Sequence, residues 1–198
     1  MTLDIRWLAP AAIAIAAPSA ALAAQYMSIE QARLLIFAGA DDFKPAPVSL
    51  TPEQVQRVQE LSNVRVRSPQ QQVWRVSASG KFLGWFILDE VIGKHQMITY
   101  AAGINPDGAL RQFQIIEYRE AYGSQVRFVN WRDQFVGKRI DSPLQLDVDI
   151  VNISGATMSC QHVTGGIKRQ AGVIAGHEPC GVVAALGGDG EERAERRE

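Results

Sequence analysis

Four strand-like segments in succession constrain the fold of this chain more than any other feature of its sequence. Apolar and β-branched residues concentrate in four stretches, at residues 73–76, 82–91, 97–104 and 110–118. The first two stretches are separated by Ala78-Ser79-Gly80-Lys81 and the last two by Asn105-Pro106-Asp107-Gly108, both of which are strong turn sequences. The pattern predicts an antiparallel meander.

Two helices are predicted ahead of the meander because each begins with a capping box. Ser28 is followed three residues later by Gln31 and then by apolar residues as far as Gly39, where a short helix should end. Thr51 and Gln54 form the same pair, and apolar residues at helical spacing extend the second helix over residues 52–61.

The remaining segments complete the predicted fold. Residues 40–49 contain two prolines and should form a connector, and residues 130–135 suit one helical turn. Residues 146–153 resemble a strand, and a last helix is predicted from Ser159 to about residue 175. The sequence therefore predicts an α+β fold of one domain, in which helices flank an antiparallel sheet.

Both ends of the chain are expected to lie outside this fold. Residues 1–23 read as an export signal, with an uncharged apolar run that closes on the small-x-small site Ala21-Leu22-Ala23. Export predicts a periplasmic location, and an uncleaved segment would instead be a membrane anchor. Residues 186–198 are poor in apolar side chains and are predicted to be a disordered tail. Between them we distinguish an N-terminal helical segment (24–71) from the main domain (72–185).

The overall charge argues against one class of function. The chain of 198 residues has a formal net charge of −1, with 20 basic and 21 acidic side chains. Without a global basic field, nucleic-acid binding is not expected.

The most informative stretch is Ser154-Gly155-Ala156-Thr157-Met158-Ser159, which lies just before the last predicted helix. Small residues allow a phosphate to approach the backbone closely, and the unpaired amides of a helix start favour an anion. A hydroxyl in this position is well placed to carry a phosphate. The alternative interpretation is a capped helix start, in which threonine and serine only serve as N-cap residues.

The first four of these residues, S-G-A-T, resemble the flavinylation signal of the FMN-binding domain family. That family includes subunits of the sodium-pumping NADH:quinone reductase and of related electron-transport complexes. The resemblance implies that Thr157 bears FMN through a phosphoester bond, which a dedicated flavin transferase installs from FAD. It also implies that the chain passes electrons to or from a membrane redox protein.

A second block of residues agrees with this resemblance. Glu120-Ala121-Tyr122-Gly123 is similar to the glutamate-x-x-glycine element of the family, and residues 131–138 are similar to its W-x-x-x-F-x-G-K element. Glu120 and Gly123 are therefore expected near the cofactor, together with residues 154–159. Glu120 would either accept hydrogen bonds from the flavin or lie on the solvated surface.

One departure concerns the aspartate that commonly precedes the acceptor threonine by six residues in the family. Val151 stands at that position, and Asp149 is the carboxylate that could serve in its place. Trp131 and Phe135, four residues apart, are expected in the core rather than at the cofactor. Tyr118 and Tyr122 are expected to pack, with stacking on the flavin ring as the alternative.

Two other kinds of protein remain open on the sequence alone. One is an exported binding or scaffold module without flavin. The other is a metal-binding protein that uses Cys160, His162, His177 and Cys180, although the spacing of these residues is unlike that of zinc fingers. An oxidising compartment would also allow a disulfide between the two cysteines.

Overall fold

The computed structural model describes residues 24–175, which form an antiparallel sheet flanked by helices. The α+β prediction is therefore confirmed. The export signal, the disordered tail, His177 and Cys180 lie outside the described residues. The strands are β1 (Ala24–Gln25), β2 (Asp42–Pro45), β3 (Val48–Ser49), β4 (Gln70–Ala78), β5 (Lys81–Ile92), β6 (Met97–Ile104) and β7 (Leu110–Tyr118). The helices are α1 (Ile29–Ile36), α2 (Pro52–Ser62), α3 (Val129–Arg132) and α4 (Thr157–Ala175).

The predicted meander forms the centre of the sheet. Its strands lie in the order β1-β7-β6-β5-β4-β2, and β3 also pairs with β4. Ser79 and Gly80 connect β4 to β5, and both have positive φ angles, as a tight hairpin turn of this length requires. Both predicted capping boxes are present, at Ser28 with Gln31 and at Thr51 with Gln54.

Helices cover both faces of the sheet. Neighbouring residues of β5 point to opposite sides, so that Phe86 belongs to the cluster beneath α1 whereas Ile87 belongs to the larger core beneath α4. Trp131 and Phe135 are 4% and 0% exposed and extend this larger core, which confirms their predicted role. No helix in the span 24–175 is long and apolar enough to cross a membrane.

Helix α4 is fixed to the sheet by a buried polar cluster near its C-terminal end. Arg169, with a side chain only 2% exposed, donates to the carboxylate of Asp89 at 2.5 Å and to the carbonyl of Arg65 at 2.6 Å. Tyr100 also donates to Asp89, at 2.7 Å. Because these groups neutralise one another in the interior, separating α4 from β5 would leave buried charges without partners.

Three details of the predicted secondary structure are wrong. The connector at residues 40–49 contains β2 and β3, because edge strands tolerate the prolines that usually exclude a strand. Residues 146–153 form a turn with one isolated bridge, between Leu146 and Ile150, rather than a strand. Helix α4 begins at Thr157, two residues earlier than predicted.

Candidate functional site

The segment that leads to α4 is held by side chains of the W-x-x-x-F-x-G-K block. The indole Nε1 of Trp131 donates to the carbonyl of Val151 at 2.8 Å. The backbone N–H of Val151 donates to Oε1 of Gln134 at 2.7 Å. Both backbone groups of Val151 are therefore satisfied, and the block places the chain immediately before the S-G-A-T signature.

The signature itself forms a turn that opens directly into α4. Gly155 has a φ of +80°, which favours glycine, and the N–H of Ala156 donates to the carbonyl of Ile153 at 2.9 Å. The first helical hydrogen bond runs from the N–H of Cys160 to the carbonyl of Ala156. Ala156 therefore occupies the N-cap position, and it has no side-chain oxygen that could accept a hydrogen bond from the first amides of α4. This argues against the alternative interpretation in which the signature only caps the helix. The first amides of this helix of 19 residues are suited to an anion.

Thr157 is exposed at this helix start and lines two clefts. Its hydroxyl Oγ1 lies 3.2 Å from Nδ2 of Asn152, which donates to it. Each cleft has a volume of about 510 Å³, within the usual range for small-molecule sites. We call them the Tyr122 cleft and the Asn152 cleft, after one residue that lines each of them.

The Tyr122 cleft brings together most of the residues predicted from the sequence. Its lining consists of Lys94, His95, Glu120, Ala121, Tyr122, Gly155, Ala156, Thr157, Met158 and Ser159. Ser154 is exposed on the turn outside this lining, and Gly123 lies behind the wall. A Cβ atom at Gly123 would lie 2.6 Å from the hydroxyl of Tyr118, and the backbone there has a φ of +92°, so both space and conformation require glycine.

The two tyrosines that precede Gly123 have different environments. Tyr118 is 2% exposed, and its hydroxyl bonds the carbonyl of Tyr122 at 2.5 Å and Oγ of Ser159 at 2.8 Å. It therefore packs as predicted and connects the end of β7 to the start of α4. Tyr122 is 84% exposed and lines the cleft, where its ring is available for stacking.

Glu120 organises the turn between β5 and β6. Its carboxylate accepts the backbone N–H of His95 and, at 2.7 Å, that of Gln96, while its side chain packs against Gly93. Partial burial raises the pKa of Glu120, but these backbone donors outweigh it and hold the pKa below its ordinary value. This turn carries Lys94, which lines the same cleft as the start of α4.

Replacing Glu120 with glutamine should lower stability in a pH-dependent way. Because the folded-state pKa of Glu120 is depressed, its contribution to stability is present above its unfolded pKa of about 4.5 and disappears as the pH falls through the lower folded value. Urea unfolding of the wild type and of Glu120→Gln at pH 7 and at about pH 3.5 measures this.

We expect the difference in unfolding free energy between the two proteins to shrink at the acidic pH. Glu60→Gln, a change at an exposed position of α2, is the matched control and should give a small difference at both pH values. An equal loss at both pH values for Glu120→Gln would show that its ionised carboxylate does not stabilise the turn.

Lys94, His95 and Asn152 are the residues of this site that sequence reasoning missed. A Gly-Lys-His sequence between two predicted strands indicates a turn, but nothing in the sequence indicates that this turn lies beside residue 157. The single available signal was the antiparallel pairing of β5 with β6, which places their connection at the same end of the sheet as the C-terminus of β7.

Asp149, the carboxylate that could serve in place of the one missing at position 151, is bonded to groups of the preceding loop. It accepts from Nζ of Lys138 at 2.8 Å, from the N–H of Gln145 at 2.8 Å and from the N–H of Leu144 at 3.2 Å. Partial burial raises the pKa of Asp149, but these donors and the Lys138 charge lower it overall. Its contacts thus stabilise the preceding loop, whereas the Thr157 hydroxyl is bonded by Asn152.

The metal alternative finds no support in the described part of the chain. Residues 24–175 contain no group of three or more histidine, cysteine, aspartate or glutamate side chains that could hold a metal ion. Cys160 is fully buried with a free thiol, and burial raises its pKa. His162 bonds the carbonyl of Gly93 through Nδ1 at 2.8 Å.

Fold and site together define a class of protein: a small sheet domain that presents an exposed threonine at an uncapped helix start, beside a cleft suited to a phosphate-bearing ligand. Residues 93–171 match the family model of the FMN-binding domain. This region of the chain is therefore similar to that family, and the match supports a flavin-binding protein. The match runs from the turn held by Glu120 into α4, and it argues against the alternative of a module without flavin. No curated protein sequence matches the chain.

Proposed function

We propose that this protein is an exported electron carrier with one FMN esterified to Thr157. The observation that carries the proposal is the hydroxyl of Thr157, exposed at the uncapped start of α4 within the S-G-A-T signature. A nucleophilic hydroxyl must be accessible to receive a phosphoryl group, whereas the nearby Ser159 is only 4% exposed. Accessibility therefore favours Thr157 over Ser159 as the acceptor.

The residues around Thr157 fit an attached phosphate. The first amides of α4 and the side chains of Lys94 and His95 are hydrogen-bond donors on one side of the threonine. A phosphodiester keeps one negative charge, which the positive end of the helix and the ammonium group of Lys94 would stabilise. The chemistry of these donors thus matches the phosphate end of FMN.

The walls of the Tyr122 cleft fit a flat aromatic ring. Tyr122 and Met158 are 84% and 43% exposed, although large apolar side chains are usually buried. An aromatic ring and a thioether are both good partners for a stacked heterocycle. FMN supplies reversible uptake of electrons, and the task of the chain is to hold it and to limit the access of water.

Covalent attachment suits an exported carrier. A dissociable cofactor would be diluted outside the cytoplasm, whereas a tethered one has an effective concentration set by its linkage. We therefore propose that a flavin transferase modifies the chain in the periplasm and that a membrane redox protein exchanges electrons with it.

The test is production of the full chain, including residues 1–23, in a host that exports it and contains a periplasmic flavin transferase. We expect the purified protein to remain yellow after denaturation, and its intact mass to exceed that of the apo chain by one FMN less one water. The attached flavin should be reduced and reoxidised reversibly in an electrochemical titration.

The same chain produced without the transferase is the control and should lack the added mass. Flavin that denaturant extracts completely would contradict the covalent linkage while leaving flavin binding intact. A linked flavin that cannot be reoxidised would contradict the role as an electron carrier.

A further inference from the structure

The hydroxyl of Thr157 has a defined partner in Asn152. Nδ2 of this asparagine lies 3.2 Å from Oγ1 of Thr157, within hydrogen-bonding distance. Resting on the proposed function, we propose that Asn152 is the positioning residue for modification of Thr157, because it fixes the acceptor oxygen for phosphoryl transfer. It would serve the acceptor through a neutral amide, where the common form of the signature carries an aspartate one position earlier.

The backbone on both sides of Asn152 is fixed. Val151 is bonded by Trp131 and Gln134 through both of its backbone groups, and the carbonyl of Ile153 accepts from Ala156. Asn152 therefore lies between two anchored residues, and its side chain reaches the start of α4 from a rigid base. A group held in this way can restrict the rotation of the threonine side chain before the reaction begins.

The second polar atom of the Asn152 side chain is a further indication of function. Oδ1 is buried and has no hydrogen-bond partner. A buried amide oxygen without a partner destabilises the fold, so an asparagine that only filled space here would be a poor choice. Thr164, which also lines the Asn152 cleft, likewise has a buried hydroxyl without a partner. Both atoms border the Asn152 cleft.

The proposed step is a phosphoryl transfer from FAD, catalysed by the transferase. Oγ1 of Thr157 attacks the phosphorus next to the riboflavin part of FAD, and a new oxygen–phosphorus bond forms. The pyrophosphate bond breaks, and AMP leaves with the bridging oxygen and the electron pair of that bond. The hydroxyl proton passes to a base of the transferase, and nothing is oxidised or reduced.

Asn152 suits this step for two reasons. Because Nδ2 donates to Oγ1, the proton of Thr157 points away from Asn152, where a base of the transferase can remove it. The amide also carries no charge, so it does not repel the anionic phosphates of FAD as a carboxylate at the same place would.

The experiment measures steady-state flavinylation of the full apo chain by a purified flavin transferase with FAD, using flavin fluorescence of the denatured protein on gels. For Asn152→Ala we expect kcat to fall about tenfold with the KM for the apo chain unchanged, as for the loss of one hydrogen bond in the transition state. Asn152→Asp keeps the shape of the side chain but cannot donate and is negatively charged, and it should be slowed at least as much. Asn130→Ala, at an exposed asparagine of α3, is the matched control and should react like the wild type.

The isosteric variant separates positioning from a merely structural role. If Asn152 only filled space, Asn152→Asp would react like the wild type, and that result would overturn the inference. Wild-type kcat in Asn152→Ala, or a higher KM with unchanged kcat, would overturn it as well while the proposed function stands. A wild-type chain that is never labelled would overturn both.

Discussion

Replacing Thr157 with alanine is expected to abolish covalent attachment of flavin while leaving the fold intact. The side chain of Thr157 is exposed, and its one hydrogen bond within the described chain is the contact with Asn152. Alanine is the best helix former, so loss of the hydroxyl at the first position of α4 should change the unfolding free energy by less than about 1 kcal/mol. Intact mass and urea unfolding of the exported variant measure both effects.

Thr157→Ser is the matched variant, since it keeps the nucleophilic oxygen and should retain part of the modification. Full labelling of Thr157→Ala would contradict the assignment and move the acceptor to another hydroxyl. Ser154 would then be the first residue to test, because it is exposed on the same turn.

Trp131→Ala should produce the largest loss of stability among the variants considered. The indole is 4% exposed and packs edge-on against Phe113 and Phe135, with ring centroids 6.2 and 4.9 Å away. Removing it leaves a cavity and takes away the donor that bonds the carbonyl of Val151. Roughly 3 to 5 kcal/mol should be lost, a large part of the stability of an ordinary domain. The measurement is urea unfolding of the apo protein.

Trp131→Phe separates the contribution of packing from that of the hydrogen bond. The phenylalanine ring largely fills the space of the indole but cannot donate a hydrogen bond to the carbonyl of Val151. We expect it to cost about 1 kcal/mol for the lost hydrogen bond, together with part of the packing loss. A loss below about 1 kcal/mol in Trp131→Ala would show that the aromatic cluster does not support this part of the core.

Features that depend on a few neighbouring residues were predictable from the sequence. Both capping boxes and the Ser79-Gly80 turn formed as expected, because a cap or a tight turn is determined by residues within three or four positions. The S-G-A-T turn before a helix belongs to the same group. The predicted start of α4 was two residues late, because Thr157 and Ser159, which were considered as possible N-cap residues, both lie inside the helix.

Features that depend on distant pairing could not be predicted. The strand-like alternation after Leu146 misled because Asp149 bonds Lys138, 11 positions earlier, as well as two nearby amides, and these contacts close the segment into a turn. The position of Lys94 depends on Glu120, 26 residues further along the chain, whose carboxylate shapes the turn that carries it. Hydrophobic periodicity in the sequence indicates which residues are buried, but it does not indicate which loops contact one another.

The two hydrogen bonds to the backbone of Val151 make the shape of the site independent of the side chain at this position. Trp131 and Gln134 bond only the backbone of Val151, and its side chain is 67% exposed. A mutation at this position should therefore leave the geometry of the helix start intact while altering the exposed surface just before the S-G-A-T signature. Substitutions at residue 151 should thus have little effect on folding, so the identity of this side chain can change while the shape of the site is kept.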